Sequence, residues 1–289
     1  MRTALAISAS DPTGGAGLQA DLQVFRSFGV HGCGVLSALT LQDSSKVHKL
    51  LPVFPSVVLD QLRVLLGDIQ PNAVKIGALA SDDVVRNVLL GLASLGTDIP
   101  IVLDPVLLAS DGSALLERRA WDSLQVLISH CTLVTPNLGE AEALCGIDVS
   151  SKSGSEAAAR YFIDDLGARA ALIKGGHRSG APDDLLAIRG DLGADAERGE
   201  PSQLPELPGE RQGDGPEPRR AEIEMHWLSG ERVDCGPVHG TGCALSSAIT
   251  AGLARGLSLV AAVEQGRRFV ATAMRSAGAP GDGARFLVY

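Results

Sequence analysis

Six short runs of the chain are dominated by small and apolar residues without a period-two alternation. They are Ala4 to Ser8, Gly32 to Leu39, Ala73 to Ile76, Ile99 to Leu103, Cys131 to Thr135 and Ala170 to Ile173. A strand with one wet face alternates; a run apolar on both faces has to be covered on both. Between the runs lie stretches with helical period, such as Leu18, Leu22, Phe25 and Phe28, or Leu59, Leu62, Leu65 and Leu66 within Pro55 to Leu66. A further helix is expected from about Asp82 to Leu95. Apolar strands alternating with helices predict an α/β fold with a mostly parallel central sheet sandwiched between helical layers.

Aromatics make up only 3% of the 289 residues while 45% are hydrophobic, so the core has to be built from Ala, Val, Leu and Ile. One region departs from the pattern. From Arg189 to about Glu222, Pro, Gly, Glu, Asp and Arg dominate with almost no apolar period, which reads as an insertion (about 189–222) in one domain spanning 1–289. Met225 to Leu228 and Arg232 to Cys235 then read as a hairpin around Ser229-Gly230. Two helices, about Cys243 to Arg255 and Leu259 to Ser276, close the chain.

Several function classes are disfavoured. A net charge of −9 without a basic stripe argues against nucleic-acid binding. No run approaches the roughly 20 apolar residues of a membrane helix, and the apolar run after Arg2 meets Asp11 and Pro12 too soon for a secretory core. Five scattered cysteines without a Cys-x-x-Cys pair suit a reducing cytoplasm, with no disulfide framework and no zinc site.

Polar or glycine-containing clusters recur just after the apolar runs: Asp11 to Gly17, Gln42-Asp43, Lys75 to Gly77, Asp104, Asn137 to Glu140 and Lys174 to His177. In parallel α/β sheets, ligands bind at the carboxyl ends of the strands. Near the end of the chain, Val238-His239-Gly240-Thr241-Gly242-Cys243 leads into an Ala/Leu/Ser-rich helix. Glycines at such a junction let the unpaired first-turn amides gather around an anion. The same positive potential favours a thiolate at Cys243.

Phosphoryl transfer needs an anion cradle, a divalent cation near carboxylates, a positive charge and a positioned hydroxyl. Gly240 to Gly242 can supply the cradle, Asp104 and Glu140 a site for Mg²⁺, and Lys174 the charge on a nucleotide phosphate. Each also has a structural reading: Asn137 and Glu140 as helix-start residues, Lys174 as a surface lysine, Asp104 as a turn residue before proline. Neither Gly-x4-Gly-Lys-[Ser/Thr] nor Gly-x-Gly-x-x-Gly occurs, which lowers the P-loop and dinucleotide-binding readings.

Together the motifs resemble a known family. Ser10 to Asp21, Ala38 to Asp43, Lys75-Ile76-Gly77, Leu103 to Val106, Thr135 to Leu138 with Glu140, Lys174 to His177 and His239 to Cys243 follow in the order found in the hydroxymethylpyrimidine/phosphomethylpyrimidine kinases of thiamine biosynthesis. These belong to the ribokinase-like superfamily, so the resemblance implies a three-layer α/β/α ribokinase-like fold. It implies ATP and Mg²⁺ as cofactors. The expected reaction is phosphorylation of 4-amino-5-hydroxymethyl-2-methylpyrimidine and then of its monophosphate. By resemblance Gln42 binds the aminopyrimidine edge, Asp21 lines the same pocket, and Val106 contacts the ring through its backbone. Asp104 and Glu140 act through the metal, while Lys174, Asn137 and Thr241 serve ATP.

Most of the superfamily has an aspartate base after the glycine turn; these kinases have cysteine, here Cys243, expected to orient the hydroxyl and accept its proton. Two positions depart from the family pattern. Ala9 stands where glycine is usual beside the substrate, and Ala78 follows Gly77 where methionine is common, which bears on substrate preference. Pyridoxal kinase and a catalytically weak pyrimidine sensor remain alternatives, and similar kinases are commonly homodimers.

Overall fold

The structure is a computed structural model that describes residues 1–176, 181–190 and 222–289. Of the segment read as an insertion, only Arg189, Gly190 and Glu222 fall within the described residues, and His177 lies outside them.

The strands are β1 (Thr3–Ser10), β2 (His31–Gln42), β3 (Val47–Pro52), β4 (Ala73–Ile76), β5 (Ile101–Leu103), β6 (Leu133–Val134), β7 (Ala170–Ile173), β8 (Asp184–Arg189), β9 (Ile223–Leu228), β10 (Val238–His239) and β11 (Arg285–Phe286). The helices are α1 (Gly17–Ser27), α2 (Pro55–Asp68), α3 (Asp82–Leu92), α4 (Trp121–Ile128), α5 (Leu138–Cys145), α6 (Lys152–Arg160), α7 (Thr241–Ala254) and α8 (Leu259–Arg275). Among the described residues nine strands form one sheet in the order β3-β2-β1-β4-β5-β6-β7-β8-β9. The six strands from β2 to β7 in that order run parallel, as the apolar runs demand; β3, β8 and β9 join antiparallel at the two edges.

Side chains alternate across the sheet and sort into two cores. Leu5, Ile7, Val74, Ile76 and Leu103 pack against Val58, Val84, Leu124, Ala141 and Ala158 on α2 to α6. On the other face, Val102, Leu133 and Leu172 meet Val24 of α1, Ala248 of α7 and Val263 of α8. The result is the expected three-layer α/β/α arrangement. Helix α7 is apolar nearly all round and buried along its length from Ala244 to Ala254, as a helix wedged between sheet and α8 has to be. Among the described residues no helix is long and apolar enough to cross a membrane.

The sheet corrects several local expectations. The hairpin around Ser229-Gly230 does not form: Ile223–Leu228 pairs with β8 instead, and Ser229 to Pro237 carry no strand. Strands expected at 99–103 and 131–135 shrink to Ile101–Leu103 and Leu133–Val134, where flanking residues turn into loops. The second strand runs on past Leu39 to Gln42 because β3 pairs with that extension, from Ala38 opposite Pro52 to Gln42 opposite Val47. That pairing carries Gln42 out over the carboxyl edge of the sheet.

Candidate active site

The carboxyl ends of the parallel strands open onto a cavity of about 680 Å³. Its centre is the mouth of α7. Gly240 sits there at φ +80°, and a Cβ at this position would strike the carbonyl oxygen of Gly15, so only glycine fits both the backbone and the space. The first intrahelical bond runs from Ala244 N–H to the Gly240 carbonyl at 2.9 Å. The amides of Thr241, Gly242 and Cys243 therefore precede it, and all three residues line the cavity as an anion site.

Charge gathers beside this cradle. Asp104, just past β5, accepts from Lys174 Nζ at 2.7 Å and from Thr135 Oγ1 at 3.3 Å, both on Oδ1. Among the described residues its other oxygen meets only Ser246 Oγ, at 3.4 Å. A Cβ on Gly242 would lie 3.2 Å from Lys174 Nζ, so this lysine stands at the cradle. Burial alone would lower the Lys174 ammonium; Asp104 and Glu140 outweigh it and hold the group above its ordinary value. Asn137 and Glu140 form a capping box on α5: Glu140 N–H donates to Asn137 Oδ1 at 2.9 Å, and Asn137 N–H to Glu140 Oε2 at 2.8 Å. Both line the cavity while holding the helix start, so the structural reading of this pair is realised. Burial pushes the Glu140 carboxyl up to about 7, with Lys174 opposing.

Among the described residues no group of three or more His, Cys, Asp or Glu side chains converges as a metal site. Glu140 Oε2 is engaged by the Asn137 amide, and Asp104 Oδ2, with its one long contact to Ser246 among the described residues, is a carboxylate oxygen open to a cation that would come with phosphates.

Cys243 lines the cavity, yet its thiol is not activated. Burial, with Asp104 and Asp21 adding negative charge, pushes it up to about 11 against the opposing pull of Lys75. Desolvation and the two carboxylates thus run against the expected thiolate, with Lys75 and the Gly17 backbone opposing them. Asp21 also departs from expectation. It does not line the cavity but lies wholly buried beneath it, with Lys75 Nζ at 2.9 and 2.8 Å from its two oxygens and Ser247 Oγ at 2.7 Å. Burial pushes the Asp21 carboxyl up, and Asp21 and Cys243 hold Lys75 above its ordinary value despite burial, so the proton stays on Lys75. The pair staples α1 to β4 and α7 under the site.

The far wall is apolar and shallow. Ala9, Ala78 and Val106 line it, in one apolar cluster with Ala38 and Ala80, which brings the two alanines that depart from the family pattern together. Gln42 hangs over this wall, its side-chain nitrogen 3.1 Å from His239 Nε2, which in turn lies 2.9 Å from Asp11 Oδ2. Ser8 Oγ is buried in the wall and meets no hydrogen-bond partner among the described residues.

The structure therefore brings together Gln42, Val106, Ala9, Lys174, Asn137, Asp104, Glu140 and the Gly240–Cys243 turn, and leaves Asp21 outside. Sequence reasoning assigned no role to Ser8, Asp11 or His239, nor to Arg267, Arg268 and Arg275, which α8 presents to the opposite end of the cavity. The arginines carried one legible signal, a recurrence on a single helical stretch.

Comparison with known proteins identifies the family. The sequence profile of the phosphomethylpyrimidine kinase family matches residues 11–197 and 220–287. The chain belongs to that family. A hydroxymethylpyrimidine/phosphomethylpyrimidine kinase of Streptomyces coelicolor is 37% identical over 96% of this chain and 89% of its own length. The crystal structure of a Clostridium difficile phosphomethylpyrimidine kinase superposes with a TM-score of 0.72 at 27% identity, covering 95% of this chain and all (100%) of that one. A Staphylococcus aureus pyridoxal kinase in complex with AMP-PCP and pyridoxal gives a TM-score of 0.77 at 26% identity, covering 99% and 93%. The fold is ribokinase-like and the chain is a kinase of this family.

Proposed function

We propose that this chain, as one kinase unit, transfers the γ-phosphoryl group of ATP to the hydroxymethyl oxygen of 4-amino-5-hydroxymethyl-2-methylpyrimidine. It then phosphorylates the monophosphate to the diphosphate. The observation that carries this reading is the convergence, in one cavity, of three unpaired α7 amides with the Lys174–Asp104 pair. Phosphoryl transfer through a loose transition state is mostly positioning and charge stabilisation, and this arrangement supplies both. The amides of Thr241, Gly242 and Cys243 receive the equatorial oxygens of the migrating group, and Lys174 takes charge on the nucleotide side. Asn137 and Glu140 border the nucleotide phosphates.

Asp104, with Glu140 beside it, would hold a Mg²⁺ ion brought with ATP, and that ion would supply charge neutralisation to the phosphates. The Cys243 thiol faces the acceptor alcohol; with its pKa near 11, about one molecule in ten thousand is thiolate at pH 7. A protonated thiol has no place for a second proton, so it orients the hydroxyl, and the hydroxyl proton passes to an oxygen of the transferred phosphoryl group once the bond to phosphorus forms. The alanine wall and Val106 hold the ring, and Gln42 reads its edge. The family resemblance further supports a cytoplasmic homodimer, checked by sedimentation of the purified chain.

Superposition on the pyridoxal kinase favours pyridoxal as the second reading of the acceptor. A coupled assay of ADP release with Mg²⁺, ATP and each alcohol tests both. Turnover of the pyrimidine with the higher kcat/KM supports the proposal, preference for pyridoxal supports the second reading, and binding without ADP release points to a sensor.

A further inference from the structure

Which end of the Gln42 amide faces the ligand follows from the hydrogen bonds behind it. Asp11 Oδ1 accepts from the Thr13 amide at 2.9 Å and the Thr13 hydroxyl at 2.7 Å. Oδ2 accepts from the Ala16 amide at 2.9 Å and faces His239 Nε2 at 2.9 Å. Backbone N–H groups only donate, so both oxygens of this carboxyl are acceptors. Burial works against its charge, but the bonds from His239 and Thr13 prevail and hold Asp11 below the ordinary carboxylate range. His239 Nε2 has to be the donor in its contact with Asp11. A ring nitrogen that donates cannot accept.

The side-chain nitrogen of Gln42 nevertheless stands 3.1 Å from the same Nε2, so two N–H groups face each other. An amide resolves this by a half-turn that exchanges its nearly isosteric oxygen and nitrogen. Its oxygen then accepts a share of the His239 Nε2 proton, and its NH2 group turns to the cavity. The ring cannot evade the constraint by swinging away. It packs on Phe286 with centroids 5.9 Å apart, and a Cβ on Gly15 would lie 2.8 Å from its Cδ2.

We propose that the Asp11–His239 pair fixes Gln42 as a hydrogen-bond donor, so that this position reads an acceptor atom of the substrate ring rather than its exocyclic amine. Asp11 and His239 are positioning residues. On the aminopyrimidine reading, on which this inference rests, the acceptor is the ring nitrogen next to the amine-bearing carbon.

Two arms test it. Nitrogen-15 NMR of the imidazole in the ligand-free chain, assigned by loss of the signal in His239→Asn, reads the tautomer without any substrate. A protonated Nε2 supports the proposal and a bare Nε2 overturns it. Calorimetry then compares the parent aminopyrimidine, an analogue without the exocyclic amine, and an analogue with CH for that ring nitrogen. In the wild-type chain the CH analogue is expected to bind about tenfold more weakly, one hydrogen bond's worth. That penalty disappears in Gln42→Glu, which cannot donate, and because its carboxylate accepts, removing the amine costs more there than in the wild-type chain. In His239→Asn the amide is released, and the penalty shifts from the nitrogen toward the amine, a shift that a merely structural role would not produce. A wild-type chain indifferent to the CH replacement but weakened by loss of the amine overturns the proposal. Failure of the parent to bind while Nε2 is protonated refutes the aminopyrimidine reading and the donor role with it, leaving only the fixed tautomer.

Discussion

Asp21→Asn separates a buried structural carboxylate from a substrate contact. Both Asp21 and Lys75 have side chains 0% exposed, 2.8 Å apart at their closest. Replacing the carboxylate by an amide leaves an ammonium buried without its counter-charge, a loss of about 3–5 kcal/mol for pairs of this kind. The loss has a ceiling, because Lys75 can shed its proton. From a reference pKa of about 10.4, doing so costs about 4.6 kcal/mol at pH 7 and about 1.9 kcal/mol at pH 9.

The sign follows from the two proteins. With Asp21 present, the folded pKa of Lys75 is raised, so its contribution is complete below about 10.4 and flat between pH 7 and 9. In the variant the folded pKa is depressed, so stability is lost at low pH and recovered as pH rises. Urea and thermal unfolding at both pH values check this, with a melting point about 6–18 °C lower at pH 7 and a smaller deficit at pH 9. The double variant Asp21→Leu/Lys75→Met restores most of the loss. KM for the pyrimidine stays unchanged, since Asp21 does not reach the cavity. A stable Asp21→Asn protein with a raised KM would show that Asp21 touches substrate and that the burial argument is wrong.

Cys243, with its thiol at about 11, is expected to alkylate slowly at pH 8, where roughly one thiol in a thousand is ionised; rapid labelling followed by peptide mapping would contradict the desolvation argument. Cys243→Ala should lower kcat by about a hundredfold with KM little changed, and nearly full turnover would remove its role toward the hydroxyl. Ser8→Ala deletes a buried hydroxyl without a partner, so thermal stability should hold or rise while KM for the pyrimidine increases about three- to tenfold; a fall in stability would mean the hydroxyl is already satisfied. Gly240→Ala forces a left-handed residue onto the Gly15 carbonyl and should cost more than about 1 kcal/mol in unfolding measurements and abolish ADP release.

What the sequence could disclose follows from where each element sits. The six parallel strands were legible because burial on both faces leaves unbroken apolar runs. Strand β3 was not: it is half-exposed on both faces at an edge, and Val47-His48-Lys49 reads as a loop. Strand β9 was legible as extended but not in its partner, because β8, its true neighbour, is distant in sequence. The catalytic edge was visible as polar clusters after strands, since ligand sites in parallel sheets gather there. Asp21 was misread although a clue existed: Lys75 lies in the middle of the apolar run Ala73 to Ile76, and a lysine so buried needs a carboxylate. Asp21 shares the apolar face of α1 with Val24 and Phe25. The state of Cys243 was beyond the sequence, because desolvation and nearby charge depend on α1, β4 and the end of β5 being packed around the start of α7. So was the direction of the Gln42 amide, which depends on contacts 197 and 228 residues apart along the chain.

The central claim is that the mouth of α7 is where the phosphoryl group is transferred. A crystal structure with a non-hydrolysable ATP analogue, Mg²⁺ and the hydroxymethylpyrimidine tests it most directly. The account predicts γ-phosphate oxygens about 3 Å from the amides of Gly242 and Cys243, with the substrate hydroxyl between that phosphate and the Cys243 sulfur. Phosphates seated elsewhere, or a hydroxyl turned away from Cys243, would contradict it.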